Sequence, residues 1–114
     1  MQQHTIEPRQ MFGDYHLLKP LTVELTEDIE SGDSVYSMKY TLGGRHYTVE
    51  AIGEGIEAAE KNILVNLAVF YGILLNMGSP RSVTGMSDDT VREHWESMRT
   101  ELSDYIVIRK GNSE

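Results

Sequence analysis

The side chains that could perform catalysis or hold a metal are few and scattered along the chain. The 114-residue sequence contains four histidines, and it has no cysteine. The histidines are His4, His16, His46 and His94, and no two stand three or four residues apart, the spacing that places two zinc ligands on one helix face. The Gly-x-Ser-x-Gly and Ser-x-x-Lys arrangements, which activate a serine, do not occur. The sequence therefore predicts a protein that is not an enzyme and that uses neither a metal nor a cofactor.

Aromatic and arginine side chains offer another kind of chemistry, the binding of a small planar ligand. Aromatic rings stack on planar groups, and guanidinium groups pair with phosphates. The ligand that fits this combination is a nucleotide-like signal molecule, as a phage counter-defence protein would sequester. The candidate ligand-binding residues are Tyr36, Tyr40, Arg45, Tyr47, Phe70, Tyr71, Trp95, Arg99 and Arg109. Because aromatic residues also build ordinary cores, this function is the alternative rather than the leading hypothesis.

Acidic residues outnumber basic ones by eighteen to ten, which gives a formal net charge of -8. Phosphate binding requires clustered cations, so we expect no direct contact with nucleic acid. The predicted partner-binding patch comprises Glu24, Glu27, Asp28, Glu30 and Asp33 near the first hairpin. A second group, along the last predicted helix, comprises Asp88, Asp89, Glu93, Glu96, Glu101 and Asp104. Such acids either keep the protein soluble or recognise a basic protein partner, and both interpretations stay open.

Three predicted strands must position the residues of the first half of the chain. Residues 21–27 alternate apolar and polar side chains, the pattern of a strand with one buried face. Residues 34–41 and 45–52 predict two further strands, and Gly32 suits the turn between the first two because it tolerates positive φ. We expect a three-stranded antiparallel meander whose apolar face needs a cover.

Two predicted helices follow the strands. Residues 56–77 form a long apolar helix that we expect to lie buried on the sheet, and residues 88–104 form an amphipathic one with a single narrow seam. Beyond Ile63 the long helix is apolar on most of its circumference, so one sheet and one seam would leave part of it uncovered. We therefore expect a homo-oligomer, a dimer or larger, with an interface formed by Leu64, Val65, Ala68, Val69 and Ile73.

The predicted organisation is one α+β domain over residues 20–110, with the order β-β-β-α-α. A loose N-terminal arm (1–19) precedes it, and a polar tail (111–114) follows it. Residues 105–108 either extend the last helix by a turn or form a short terminal strand, which their β-branched content favours. The longest apolar run is shorter than the ~20 residues that a membrane-spanning helix needs, so no membrane contact is expected. A cytoplasmic location is the resulting expectation.

Three features of the first two thirds of the chain occur together in one known family. They are the meander with a tight turn at Gly43-Gly44, a third strand ending in Ala51-Ile-Gly-Glu-Gly55, and a helix that opens with Ile56-Glu-Ala-Ala-Glu60. In these features, residues 21–75 resemble the HicB-like family of antitoxin and antitoxin-derived domains. The resemblance implies a sheet-plus-helix protein that oligomerises and binds a toxin, without catalytic residues. The family's Pro-Gly before the third strand is missing, and no helix-turn-helix or ribbon-helix-helix segment follows, so operator binding is not implied.

These observations combine into one leading expectation about function. An acidic chain without grouped catalytic side chains suits a protein that sequesters or inhibits a basic partner, in the manner of an antitoxin. The alternative is a protein that binds a nucleotide signal through the aromatic and arginine residues named above.

Overall fold

Two antiparallel sheets and two helices make up the computed structural model, which describes residues 2–30, 32–42, 47–76 and 88–109. The large sheet has the strand order β1-β4-β5-β6, and the small sheet has the order β2-β3-β7. The α+β class is therefore confirmed. The elements are β1 (Gln2–Ile6), β2 (Gln10–Phe12), β3 (Tyr15–Leu17), β4 (Leu21–Glu30), β5 (Asp33–Leu42), β6 (Tyr47–Gly53), α1 (Ile56–Asn76), α2 (Asp88–Ser103) and β7 (Ile106–Ile108).

The predicted meander is present as β4, β5 and β6. Leu21, Val23 and Leu25 are buried while their neighbours on β4 face outward, as the period-two pattern requires. Gly32 has a φ of 86° in the tight turn between the paired residues Glu30 and Asp33, where an L side chain would be strained.

The number and layout of the strands differ from the prediction of three strands preceded by a loose arm. Within residues 1–19, β1 pairs with β4 as a fourth strand of the large sheet, and β2 and β3 join β7 in the small sheet. Ile6, Met11 and Leu17 from this segment are buried in the core. Strand β1 is mostly polar, and β2 and β3 have only three residues each, so local periodicity does not reveal them. Strand β3 also pairs with a strand at the other end of the chain. The predicted terminal strand is confirmed as β7.

The core lies between the apolar face of the large sheet and a layer formed by α1, α2 and the small sheet. The residues that α1 buries share one side of the helix; they are Ala59, Ile63, Leu64, Leu67, Ala68, Tyr71 and Leu74. Met98 and Leu102 of α2 and Ile106 of β7 join the same cluster. Each fully buried Leu or Ile stabilises the fold by roughly 1.5–3 kcal/mol relative to exposure, so this shared cluster holds the two layers together.

Strand β6 is one of the two edge strands of the large sheet, and α1 covers part of its backbone with two side-chain amides. Asn62 Nδ2 donates to the Ile52 carbonyl oxygen at 2.7 Å, and Asn66 Nδ2 donates to the Glu50 carbonyl oxygen at 2.9 Å. Carbonyls two residues apart point to one side of a strand, and positions four apart lie on one side of a helix. The helix therefore runs antiparallel to the strand and occupies carbonyls that could otherwise pair with a foreign strand.

The end of β6 approaches the first turn of α1 so closely that Gly53 has no room for a side chain. A Cβ built on Gly53 would lie closer than 3.0 Å to backbone atoms of Ala58 and Ala59. Nothing lies within 4 Å of the corresponding position on Gly55, two residues later. The close approach at Gly53 is thus a specific requirement of the strand-to-helix junction.

The substitution Gly53→Ala should destabilise the protein, because backbone atoms of a helix cannot move aside as a flexible side chain can. We expect a loss of about 2–3 kcal/mol in the free energy of unfolding, measured by urea denaturation. The matched control Gly55→Ala should change it by less than about 1 kcal/mol. Equal losses for the two variants would contradict the close approach at Gly53.

Replacing Asn62 and Asn66 together by alanine should uncover two carbonyls on the edge of β6. We expect the free energy of unfolding to fall by about 1–2 kcal/mol, because each hydrogen bond contributes about 0.5–1.5 kcal/mol. The control is Asn76→Ala, since the Asn76 amide bonds to the Gly72 carbonyl oxygen within α1 itself. Urea denaturation that shows no loss for the double variant would contradict a stabilising role for these amides.

Candidate functional site

The aromatic residues considered for a planar ligand are dispersed among separate contacts. Tyr47 stacks on Phe70 with ring centroids 4.6 Å apart and an interplanar angle of 10°. Tyr71 instead meets the edge of the Tyr15 ring, with centroids 6.3 Å apart. The Tyr15 hydroxyl reaches this place because the neighbouring Gly72 has no side chain in its way. The rings therefore fill different parts of the fold.

The cationic residues of that set do not surround the exposed stack either. The hollow beside Tyr47 and Phe70 has a carboxylate, Glu50, in its wall, and no arginine lines it within the described ranges. Arg99 lies near Tyr71: burial raises the pKa of the Tyr71 hydroxyl, Tyr15 raises it further, and Arg99 opposes the shift. A phosphate-bearing ligand on the stack would thus meet a negative charge.

The remaining residues of the set are at other places. Tyr36 donates from its hydroxyl to Glu27 at 3.4 Å, and the backbone N–H of Arg109, directly after β7, donates to the Asp14 carbonyl oxygen at 2.8 Å. Trp95 is half-buried on α2, and its Nε1 has no hydrogen-bond partner in the part of the chain that the structure describes. Arg45 lies outside the described residues.

The acidic patch predicted around the first hairpin is divided between the two faces of the sheet. Glu24 and Asp28 lie on the outer face of β4, opposite the side that Leu25 buries. Glu27 lies on the other face, where Ser34 donates to its carboxylate at 2.8 Å.

The positive charge of Lys39 partly offsets the negative charge on the outer face of this patch. Lys39 of β5 pairs in register with both Glu24 of β4 and Glu50 of β6, and its Nζ lies 4.0 Å from a Glu50 oxygen. The side chains of Glu30 and Asp33 lie outside those described. The hairpin therefore does not present its acids as one surface.

Three acids of α2 and one in the turn that follows it, in contrast, lie along one side of the helix, and all but Glu101 are exposed. They follow helical spacing and line one shallow depression together with Ser97 and Thr100. We call Glu93, Glu96, Glu101 and Asp104 the acidic stripe. The opposite face of α2 is anchored in the core by Met98 and Leu102. The side chains of Asp88 and Asp89, which the sequence adds to this group, lie outside the described part.

One hydrogen bond connects the acidic stripe to the large sheet. The Tyr40 hydroxyl of β5 donates to Glu101 Oε2 at 2.7 Å, and the Tyr40 ring meets the edge of Tyr105, with centroids 6.4 Å apart. Burial raises the pKa of Tyr40, and the bond to the Glu101 carboxylate raises it further. Lys19 Nζ lies 5.7 Å from the centroid of the Tyr105 ring. These contacts fix α2 against β5, so the stripe has a defined orientation.

A second polar cluster joins the N-terminal strand to α1. His4 Nε2 lies 2.5 Å from Glu60 Oε2, and Arg9 Nη1 lies 3.4 Å from Glu60 Oε1. The sequence gives no local sign of this cluster, since Glu60 fits the acidic first turns of a helix and His4 stands 56 residues away. Among the described side chains, no group of three His, Cys, Asp or Glu could hold a metal ion. The cluster fastens β1 and the following loop to α1.

The predicted interface residues are only partly available on the surface. Leu64 and Ala68 are buried within the chain, so assigning them to an interface with another copy is wrong. They point inward because the sheet lies on their side of α1. Val65 is half-buried, and Val69 and Ile73 are 47% and 38% exposed.

These three residues form the outer ridge of α1, at positions i, i+4 and i+8. The ridge borders a groove between α1 and β6, which we call the edge groove. Its other lining residues are Tyr47, Thr48, Val49, Glu50, Ala51, Ile52, Asn62, Asn66 and Phe70.

By length and composition alone, α1 could cross a membrane. Core helices of soluble proteins pass the same test, and 39% of the most apolar window of α1 is buried in the fold.

Tyr40→Phe should change how stability depends on alkaline pH. Folded Tyr40 holds its proton more tightly than the unfolded chain does, whose tyrosine has the ordinary pKa of 10.0. The stability that protonated Tyr40 contributes to the fold is therefore fully present below pH 10.0 and is lost as the pH rises above that value. At neutral pH, Tyr40→Phe should cost about 1–2 kcal/mol. In urea titrations, the stability difference between wild type and variant should shrink above pH 10.0; a constant difference would contradict the raised pKa.

Comparisons with known proteins give no family for this chain. No family model, no curated protein and no solved structure matches it. The acidic stripe and the edge groove are therefore the features from which a function can be inferred.

Proposed function

We propose that this chain is a non-enzymatic protein that sequesters a basic protein partner, in the manner of an antitoxin, and that it does so through the acidic stripe. The observation that carries the proposal is the line of four carboxylates, of which Glu101 is half-buried and the other three are exposed, along one side of α2 and the turn that follows it. From Glu93 to Asp104 the stripe spans about 16 Å, given the helical rise of about 1.5 Å per residue. A helix or strand with lysines or arginines on one side matches such a line of charge.

The stripe has the physical properties of a recognition surface. Its net negative field, strengthened by the charge of -8 on the whole chain, attracts a basic partner and accelerates the encounter. The core contacts of Met98 and Leu102 and the Tyr40–Glu101 hydrogen bond hold α2 in place. Little conformational entropy would therefore be lost when a partner binds.

The class of partner follows from the same charges. Nucleic acid carries phosphates that the stripe repels, so the partner is a protein rather than DNA or RNA. The resemblance of residues 21–75 to HicB-like domains supports a toxin as that protein, and a cytoplasmic location accompanies this proposal. The nucleotide-binding alternative has less support, because the exposed Tyr47–Phe70 stack is adjacent to Glu50 rather than to an arginine.

Capture experiments with two charge-matched variants test the proposal. The stripe variant is Glu93→Gln, Glu96→Gln and Asp104→Asn, which keeps Glu101 because it accepts the bond from Tyr40. The control variant removes three exposed acids elsewhere, as Glu7→Gln, Glu24→Gln and Asp28→Asn. Wild type and control should capture the same basic protein from a lysate of the source cells, while the stripe variant should bind that purified protein about 10–100-fold more weakly.

Two results would contradict the proposal. Equal weakening by both variants would show that net charge, and not the stripe, governs binding. Capture of no basic protein by the wild type would remove the basis for sequestration. A rise in melting temperature with a particular nucleotide would instead favour the ligand-binding alternative, since a ligand that binds the native state stabilises it.

A further inference from the structure

We propose that two copies of this chain associate through the edge groove, with the outer ridge of α1 of each copy lying in the edge groove of the other. Val69, the middle residue of the ridge, then lies close to the two-fold axis. This surface is separate from the acidic stripe, so the proposal is independent of the proposed function.

The edge groove exposes large apolar side chains that the chain itself does not cover. Ile52 is 57% exposed, Val69 47%, Tyr47 46% and Ile73 38%. Large apolar side chains have a surface of roughly 150–200 Å² each, so these four leave about 300 Å² of apolar area in contact with water. Tyr47, Val69 and Ile73 line one half of the groove and Ile52 lines the other, and the two halves meet at Glu50 and Asn66.

The exposed apolar area of the groove is comparable to the apolar area that each copy buries in a stable dimer. A standard interface buries about 800 Å² per partner, of which a little over half is apolar. The four exposed side chains supply most of that apolar share, and the half-buried Val65 and Phe70 add to it. The exposed polar residues Asn62 and Thr48, each in one half of the groove, would form the rim, and Asn66 and Glu50 lie where the two halves meet.

The charge of the groove permits a second copy as its occupant. Glu50 is the only charged residue that lines the groove in the described ranges, and Lys39 lies 4.0 Å from it. Two chains of charge -8 repel each other wherever their acids meet, so they can approach closely only through a nearly neutral surface. A two-fold contact brings the same patch of both copies together and satisfies this condition.

The geometry of the groove favours a helix over an extended peptide. Asn62 and Asn66 already occupy the carbonyls of Ile52 and Glu50, so the edge of β6 cannot add a strand at those positions. The outer ridge, with residues four apart, is the kind of ridge that packs between the ridges of a second helix. The chain therefore carries both the groove and a helix that fits it.

Sedimentation velocity at about 5–100 μM protein tests the association. The wild type should be a dimer, and Val69→Glu should raise the dissociation constant at least about tenfold, because a carboxylate would be buried near its copy on the axis. Ile29→Glu is the matched control: it adds the same charge at a side chain on β4 that is 75% exposed and does not line the groove, and the dimer should persist. Circular dichroism establishes that each variant is folded.

Cross-linking locates the contact independently of any loss of folding. The chain has no cysteine, so Val69→Cys and Ile29→Cys each introduce a single thiol. A short bis-maleimide should join two copies through Cys at position 69 and not at position 29. A monomeric wild type over the whole concentration range, a dimeric Val69→Glu, or cross-linking only at position 29 would overturn the proposal. Binding of a monomeric wild type to phosphatidylcholine vesicles, abolished by Val69→Glu, would overturn it in favour of a lipid surface.

Discussion

The docking of α1 on the edge strand β6 determines which side of a nearly all-apolar helix faces the core. The amides of Asn62 and Asn66 bond to edge carbonyls of β6, and Gly53 lets the strand end approach the first helical turn. With the helix held in this rotation, one side is buried in the core, and the outer ridge containing Val69 and Ile73 faces water. The same contact that protects the sheet edge from strand pairing thus creates an apolar groove beside it.

The two exposed surfaces of the protein have opposite physical character. The edge groove is largely apolar with one charged residue among those described, whereas the acidic stripe carries four carboxylates along α2 and the turn after it. The Tyr40–Glu101 bond and the shared core hold the two surfaces in a fixed relation. Salt weakens attraction between opposite charges, and it screens the repulsion between two acidic chains. The two surfaces have no lining residue in common.

Local patterns predicted the elements that carry a clear period, and distant contacts explain what they missed. The alternation in residues 21–27 and the helical seam of α2 correspond to observed elements. Strands β1 to β3 are short, and β1 and β3 pair with strands far along the chain, while β2 pairs with its neighbour β3. For α1, the apolar pattern could not show that Leu64 is buried and Val69 exposed, because the side of the helix that faces the core depends on where the sheet lies. The two asparagines, four residues apart in an apolar run, are the feature that could have indicated the outward side.

Nuclear Overhauser effects from the side-chain amide protons of Asn62 and Asn66 test the docking of α1 most directly. In an isotope-labelled sample, the Asn62 amide should show effects to the α proton of Ile52 and the Asn66 amide to that of Glu50, because these amides bond to the corresponding carbonyls at 2.7 and 2.9 Å. Amide protons that exchange rapidly with water and show no effect to β6 would contradict this orientation of the helix, and with it the exposed ridge and the groove.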